Sequence, residues 1–449
     1  MAAALLLALL LGLVPLSPAA SAAGYTDVPA SHWAYAEILS MQRRGLIQGS
    51  GGKFRPNEPV SKQAFLSMVC RAAGLDDRAL QSGDSWADPA LSFAAYQGWC
   101  DAEEITATNR KEPIPRELAA KLLVNALFRE ELGRRTAPVF RDAGQISKDR
   151  LPYVQTAAAL GLLNGYADDR FDPQGRLTRA AAAALLERAL TLLEQDRPAA
   201  GASVQVPVLM YHDVSYLSLQ GSGYYSKTPE QFRRQMQELK DAGFHTVFFS
   251  QLIDYVENGT PLPSKPIVVT LDDGYRSNYE YAFPILQELD MKAEISLIGG
   301  AMQYTSWGLK WEDVQEMAAS GLVSFQCHTN QLHGDHTAEG GRLGVLKAPK
   351  ESWQEYVETL GADTVKILDL IETKTGVRPV VFTYPRGKWN PMAEAVAASH
   401  GCKVSLTTKD GVAVVTQGDP ASLRLMDRIG MDFLNGSVVS TLKKYGYRG

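Results

Sequence analysis

Three short stretches in the C-terminal half carry side chains suited to hydrolysis. The first is Thr270-Leu-Asp-Asp-Gly274, the second Gln326-Cys-His-Thr-Asn-Gln-Leu-His333, and the third Pro207-Val-Leu-Met-Tyr-His-Asp213. Two adjacent carboxylates repel each other and weaken a strand end unless each has separate work. Successive residues of a strand point in different directions, so one of the two can bind a cation while the other faces a water molecule. Histidines spaced His-x4-His on one loop, together with one carboxylate, make a three-ligand set that leaves a coordination position open. A fourth stretch, Thr383-Tyr-Pro-Arg-Gly387, reads as a tight turn whose backbone could line a pocket. Taken singly, an Asp-Asp-Gly turn is more often a solvated loop and a histidine pair more often incidental. Their occurrence in this order, each at the end of an apolar run, is the informative feature.

Those apolar runs are the elements that must position them. Val208–Tyr211, Thr246–Phe249, Ile267–Leu271, Ala293–Leu297, Val323–Phe325, Val380–Phe382 and Lys403–Leu406 alternate with amphipathic stretches such as Pro229–Ala242 and Tyr279–Leu289. Strand and helix alternating in this way imply a parallel α/β architecture, either a barrel or an open sheet. In such folds chemistry collects at the C-terminal ends of strands, where the motifs stand.

The motifs resemble those of the polysaccharide deacetylases of carbohydrate esterase family 4, over about residues 205–432. The resemblance implies an irregular (β/α)7 barrel and removal of N-acetyl groups from N-acetylglucosamine-containing polysaccharide. It further implies that Asp273, His328 and His333 ligate a divalent metal, most often zinc, and that Asp272 is the general base. The sequence departs from the family at two points: Thr383 stands where the third motif has arginine, and Leu423–Met431 contains no histidine to act as acid. The longer histidine spacing and the Tyr384-Pro385 turn are similar to the branch related to poly-N-acetylglucosamine deacetylases, in which the Tyr-His at the first strand end belongs to the active site. That assigns His212 as acid or substrate contact, with a structural histidine as the equal alternative. Tyr384, Pro385, Arg386 and Arg428 are expected to contact substrate, with Asp427 and Arg428 orienting neighbouring groups.

The N-terminal half is repetitive. Residues 42–72 and 156–189 each hold an apolar helix end, a Gly-Leu-(Ile/Leu)-x-Gly turn, a Phe-x-Pro and a second helix, and a further helical run opens at Glu112–Leu118. Aligning Val60, Ile114 and Leu177 gives spacings of 54 and 63 residues. These features resemble the S-layer homology module, an all-α set of three repeats that binds secondary polymers of the bacterial cell wall, over residues 24–193. The loop-to-helix signature of that module falls on Ser61–Ala64, Pro115–Glu117 and Thr178–Ala180. It places Lys62, Arg116 and Arg179 at equivalent points in the first turn of a helix, where free backbone N–H groups also favour an anion. A wall glycan is the ligand the resemblance implies; isolated surface charges are the plainer alternative.

The remaining features frame these halves. The chain of 449 residues is too long for one core, and its net charge of −5 argues against a nucleic-acid partner. Residues 1–23, an apolar Leu/Ala run followed by prolines and small residues, read as a secretory signal peptide whose apolar run is short for a bilayer, with an uncleaved membrane anchor as the alternative. Residues 194–206 read as a linker and 207–449 as the catalytic domain. Of the four cysteines, Cys70 and Cys100 could form a bridge and Cys327 reads as a buried apolar residue. The expected protein is therefore secreted, attached to a bacterial cell wall and metal-dependent. Its rival is a degenerate barrel that binds wall glycan without turnover.

Overall fold

A computed structural model describes residues 24–134, 140–195, 200–216, 225–302 and 305–449. The expected signal peptide lies outside the described residues. The chain divides into two compact units, Met1–Arg197 and Pro198–Gly449.

The first unit is helical: α1 (Tyr35–Arg43), α2 (Lys62–Ala72), α3 (Asp88–Tyr96), α4 (Arg116–Leu127), α5 (Leu151–Ala159) and α6 (Arg179–Glu194). The three residues aligned across the repeats meet at its centre. Val60 N–H donates to the Leu177 carbonyl at 2.9 Å, Ile114 N–H to Val60 at 2.9 Å, and Leu177 N–H to Ile114 at 3.2 Å. This closed ring of three hydrogen bonds gives the unit a pseudo-threefold axis that includes the middle repeat. Each residue of the ring is buried, so backbone groups that would otherwise be orphaned there satisfy one another. From this centre α2, α4 and α6 begin in turn, and Ser61 and Thr178 cap two of them by accepting from the backbone N–H three residues on.

The second unit contains β1 (Ser203–Val206), β2 (Val208–Tyr211), β3 (Asp213–Val214), β4 (Ser226–Lys227), β5 (His245–Thr246), β6 (Pro266–Asp273), β7 (Ala293–Leu297), β8 (Val323–Cys327), β9 (Val381–Thr383), β10 (Val404–Asp410), β11 (Ala413–Thr416) and β12 (Met426–Gly430). Its helices are α7 (Pro229–Asp241), α8 (Phe249–Asn258), α9 (Phe283–Leu289), α10 (Trp311–Ala319), α11 (Trp353–Thr375), α12 (Pro391–Ser399) and α13 (Val438–Lys444). Strands β2, β12, β10, β9, β8, β7 and β6 are hydrogen-bonded in that order, and a β2–β6 pairing closes the ring, with β5 appended beside β6. All of these pairings are parallel, so the unit is a seven-stranded α/β barrel. All eight residues of β6 are buried, as a strand enclosed by helices outside and by facing strands inside requires.

Two expectations about elements change. Ser203–Val206, placed in the linker at the sequence level, is strand β1, paired antiparallel with β11. Its alternation of Val204 and Val206 with Ser203 and Gln205 suits a strand with one covered face. The apolar run Thr246–Phe249 is strand only through Thr246. Phe249 opens α8, its N–H held by the buried carboxylate of Glu294 at 2.8 Å. All four cysteines are free thiols, three of them buried.

Candidate active site

The adjacent carboxylates at the end of β6 are turned by the backbone itself. Asp273 has φ +74° and Gly274 φ +76°, two consecutive left-handed residues. A side chain at position 274 would also meet Leu297 Cδ2 at 2.7 Å, so glycine is required on both counts. For aspartate this conformation is strained, as is common where geometry serves a site. The turn gives the two carboxylates different neighbours.

Asp272 faces Arg428 of β12. The guanidinium pairs with it, Nη1 donating to Oδ1 at 2.8 Å while Nη2 stands 2.8 Å from Oδ2 as an ion-pair contact without hydrogen-bond alignment. Arg428 is fully buried, and its Nε also donates to the Thr407 carbonyl at 2.7 Å. Burial alone would raise the Asp272 pKa. The charge of Arg428, with that of His328, outweighs burial and holds it below the ordinary carboxylate value.

Asp273 faces the imidazoles. Its Oδ1 lies 3.3 Å from His328 Nε2 and 3.2 Å from His333 Nε2, yet this buried oxygen accepts no well-formed hydrogen bond. Two ligands of a tetrahedral ion with bonds of about 2.0–2.1 Å stand roughly 3.3 Å apart, so this spacing is that of a ligand set. The three ligand atoms all lie within 4.8 Å of one another. The other ring nitrogen of His328 is hydrogen-bonded to the Thr383 carbonyl at 2.7 Å, which fixes the ring with Nε2 toward Asp273. His333 is carried on a loop pinned from α11, where Asp363 accepts from the backbone N–H groups of Asn330 and Gln331 at 2.7 and 2.8 Å. The donors present thus fit a divalent cation.

His212 stands just beyond the end of β2, the strand paired with both β6 and β12. Its Nδ1 lies 2.6 Å from Asp432 Oδ2, and its backbone N–H donates to Oδ1 of the same carboxylate at 3.3 Å. The ring is thereby oriented with Nε2 as the nitrogen left to exchange a proton. Burial would lower its pKa, but the hydrogen bond and charge of Asp432, aided by Asp273 and Asp272, push it up to about 9. Asp213, next along the chain, accepts from Ser277 and Ser215 at 2.5 and 2.7 Å and braces this strand end against the segment after β6.

Two of the expected substrate contacts take other roles. Tyr384 is fully buried, with its hydroxyl hydrogen-bonded to Glu394, and Arg428 serves Asp272; neither reaches solvent. Pro385 is also buried, whereas Arg386 is exposed in a left-handed turn at φ +56°. Asp427 forms a surface ion pair with Lys409 rather than orienting the site. Asp432 and Asp363 escaped the sequence reading. Asp432 follows two residues after a strand end, a placement that could have flagged it; Asp363 lies mid-helix and carries no local signal.

In the helical unit, Arg116 Nε and Nη2 donate to the carbonyls of Phe171 and Asn164 at 2.9 and 2.8 Å. Arg179 does the same to Phe54 and Gln48, both at 2.8 Å. Each guanidinium also lies over the aromatic ring it reaches, 4.9 Å from Phe171 and 4.7 Å from Phe54. They stitch one repeat to the loop of another. Lys62 pairs instead with Glu112, Nζ to Oε2 at 3.3 Å.

Comparison with known proteins agrees with this division. Residues 259–405 match the polysaccharide deacetylase family, and residues 24–66 and 139–183 match the S-layer homology domain. The chain is 32% identical over 211 residues to the poly-beta-1,6-N-acetyl-D-glucosamine N-deacetylase of Escherichia coli K12, a match covering 42% of this chain and 31% of that protein. It therefore spans about a third of the length of that curated relative. It is 29% identical over 229 residues to YxkH of Bacillus subtilis, covering 51% of this chain and 73% of the relative. Among solved structures, IcaB of Ammonifex degensii aligns with 26% identity and a TM-score of 0.43, over 50% of this chain and 91% of that one. The chain carries N-terminal S-layer homology repeats and a C-terminal polysaccharide deacetylase domain.

Proposed function

We propose that this chain is an exported, wall-attached hydrolase that removes N-acetyl groups from an N-acetylglucosamine-containing polysaccharide. The observation that carries this reading is the division of labour at the end of β6, where Asp273 faces two imidazoles while Asp272 is reserved by Arg428. A divalent cation held by Asp273, His328 and His333, with zinc the natural choice for two imidazoles and a carboxylate, would supply Lewis acidity toward water and the acetamide oxygen.

The chain's own residues account for the proton movements. Asp272, kept ionised by Arg428, accepts the proton of the attacking water. His212, kept protonated by Asp432, donates from Nε2 to the departing nitrogen, without which the amide C–N bond is a poor one to break. The products are acetate and a free amine on the sugar. Each function that the departures from the family pattern left vacant at the sequence level has a candidate: Arg428 takes the place of the arginine absent at position 383, and His212 that of the absent terminal histidine. These two residues favour turnover over the binding-only rival.

The helical unit supplies attachment in this reading. In this reading a secondary wall polymer docks at its three equivalent helix starts, with Lys62, Arg116 and Arg179, and both guanidinium groups also hold carbonyls and aromatic rings of the unit itself. Acetate release from acetylated glucosamine oligomers or peptidoglycan, with and without a chelator, tests the reading. Release that stops on chelation and returns with zinc is expected; release indifferent to the chelator overturns it.

A further inference from the structure

Among the described residues of the barrel unit, six large apolar side chains are exposed, and two of them are in contact with each other beside His212. Tyr225 is 51% exposed and Phe433 62% exposed. Their rings pack edge to face, with centroids 5.6 Å apart and planes at 67°. Tyr225 in turn lies 5.1 Å from the ring of His212. The three rings form a continuous row running from the nitrogen-bearing acid out to solvent.

The row sits on a fixed frame. The Tyr225 carbonyl accepts from Asp213 N–H at 3.1 Å, and Lys227 accepts likewise from Ser215 at 2.9 Å, so both ends of the Tyr225 segment are tied to β3. Phe433 follows directly on Asp432, the partner of His212, and occupies a turn closed by Leu434 N–H on the Met431 carbonyl at 3.0 Å. The buried ammonium of Lys227 reaches across to the Leu434 carbonyl at 2.5 Å and joins the two segments. A single exposed aromatic is ordinary and needs no explanation. Two in contact, one of them packed on the imidazole proposed to meet the leaving nitrogen, are placed to bind the uncharged face of a ring.

We infer that Tyr225 and Phe433 form a stacking subsite for a sugar ring adjoining the one that loses its acetyl group. This rests on the deacetylase reading, because it takes the nitrogen addressed by His212 to be a substituent of a pyranose in a chain. A β-linked hexosamine presents a face of C–H bonds, electropositive at the hydrogens, which complements the electron-rich face of an aromatic ring. The consequence is selectivity by length: an oligomer spans both the cation site and the aromatic row, and a monosaccharide reaches only the former.

The test compares zinc-loaded full-length protein with its Phe433→Ala, Tyr225→Ala and Phe433→Tyr variants on N-acetylglucosamine and on its β-linked pentamer. Acetate release is measured, and pentamer binding is followed by calorimetry. The ratio of kcat/KM for pentamer over monomer should fall about tenfold in the alanine variants, mainly through KM, because aromatic anchors of this kind carry a disproportionate share of contact energy. Phe433→Tyr should keep the wild-type ratio. Equal losses on both lengths, or an alkaline limb of the rate profile displaced in Phe433→Ala, would mean the ring acts through His212 and the subsite does not exist. An unchanged ratio overturns the inference while the deacetylase reading stands. Pentamer binding that is lost in Phe433→Ala, in a wild type that releases no acetate, upholds the subsite and overturns the reading beneath it. Neither binding nor release overturns both.

Discussion

Arg428 and Asp272 form a buried ion pair, with one hydrogen bond from Nη1 to Oδ1 and a second charge contact from Nη2 to Oδ2, both at 2.8 Å. The pair couples β12 to β6 across β2, and the position of the proposed base depends on it. An arginine is suited to this because its planar fork matches both carboxylate oxygens and stays charged when buried.

Removing that partner should cost both activity and stability. Arg428→Met leaves Asp272 buried and unpaired, and breaking such a pair typically costs about 3–5 kcal/mol of folding stability. Arg428→Lys keeps the charge but loses the fork, and should fold with kcat lowered by about 10- to 100-fold. Denaturant titration and acetate release on both variants check the two halves of this statement; a fully active Arg428→Lys would show that the fork is dispensable.

The pair His212 and Asp432 sets the expected pH profile. In the proposed role of acid, His212 can donate only when protonated, and its pKa is pushed up to about 9. The proton is therefore in place below that value and lost as pH rises through it, so kcat/KM should decline on the alkaline side. A bound cation nearby would pull this limb somewhat toward neutrality, since like charge disfavours the imidazolium. Asp432→Asn removes the group that raises the pKa and should shift the limb to lower pH. A profile of kcat/KM against pH for both proteins, flat through the alkaline range or unmoved by the substitution, would remove His212 from the role of acid.

The arginines of the helical unit should prove structural as well as ligand-facing. Arg179→Ala deletes two hydrogen bonds to the carbonyls of Phe54 and Gln48 and the contact with the Phe54 ring. A loss of roughly 2–4 kcal/mol is expected from two charge-assisted bonds and one cation–π contact, discounted for partial exposure. Lys62→Ala, whose partner Glu112 is largely solvated, should cost less than about 1 kcal/mol. Thermal melts, with co-sedimentation on purified walls, separate the two effects: wall binding lost in Lys62→Ala without a change in melting is the signature of ligand contact.

Much of this candidate site was legible in the sequence because its side chains are local. Asp272 with Asp273, and His328 with His333, each lie within one strand end and its loop, and the apolar runs before them announce where those ends fall. The alternation of strands and helices alone allowed a barrel or an open sheet; the family resemblance implied the seven-stranded barrel, and the β2–β6 pairing closes it. Arg428 was named, but its pairing with Asp272 was not, and Asp432 was missed outright, because these pairings are long-range. Arg428 reaches Asp272 from 156 positions away and Asp432 reaches His212 from 220, separations that no local spacing encodes. Tyr384 was misassigned for a related reason, since a turn after a strand can present either its backbone or its side chain to the mouth, and Glu394 draws the hydroxyl inward. The strand Ser203–Val206 was hidden by the small and polar residues before it, and only its partner β11 makes it a strand.

The central claim is that Asp272 and Asp273 do different work, and Asp272→Asn examines it most directly. Metal content and acetate release are measured on the same zinc-loaded preparation, with His333→Ala alongside. The account predicts that Asp272→Asn retains zinc close to one per chain while acetate release falls by about 10²- to 10⁴-fold, the usual contribution of a general base, and that His333→Ala loses both. Zinc-replete Asp272→Asn releasing acetate at the wild-type rate would contradict it.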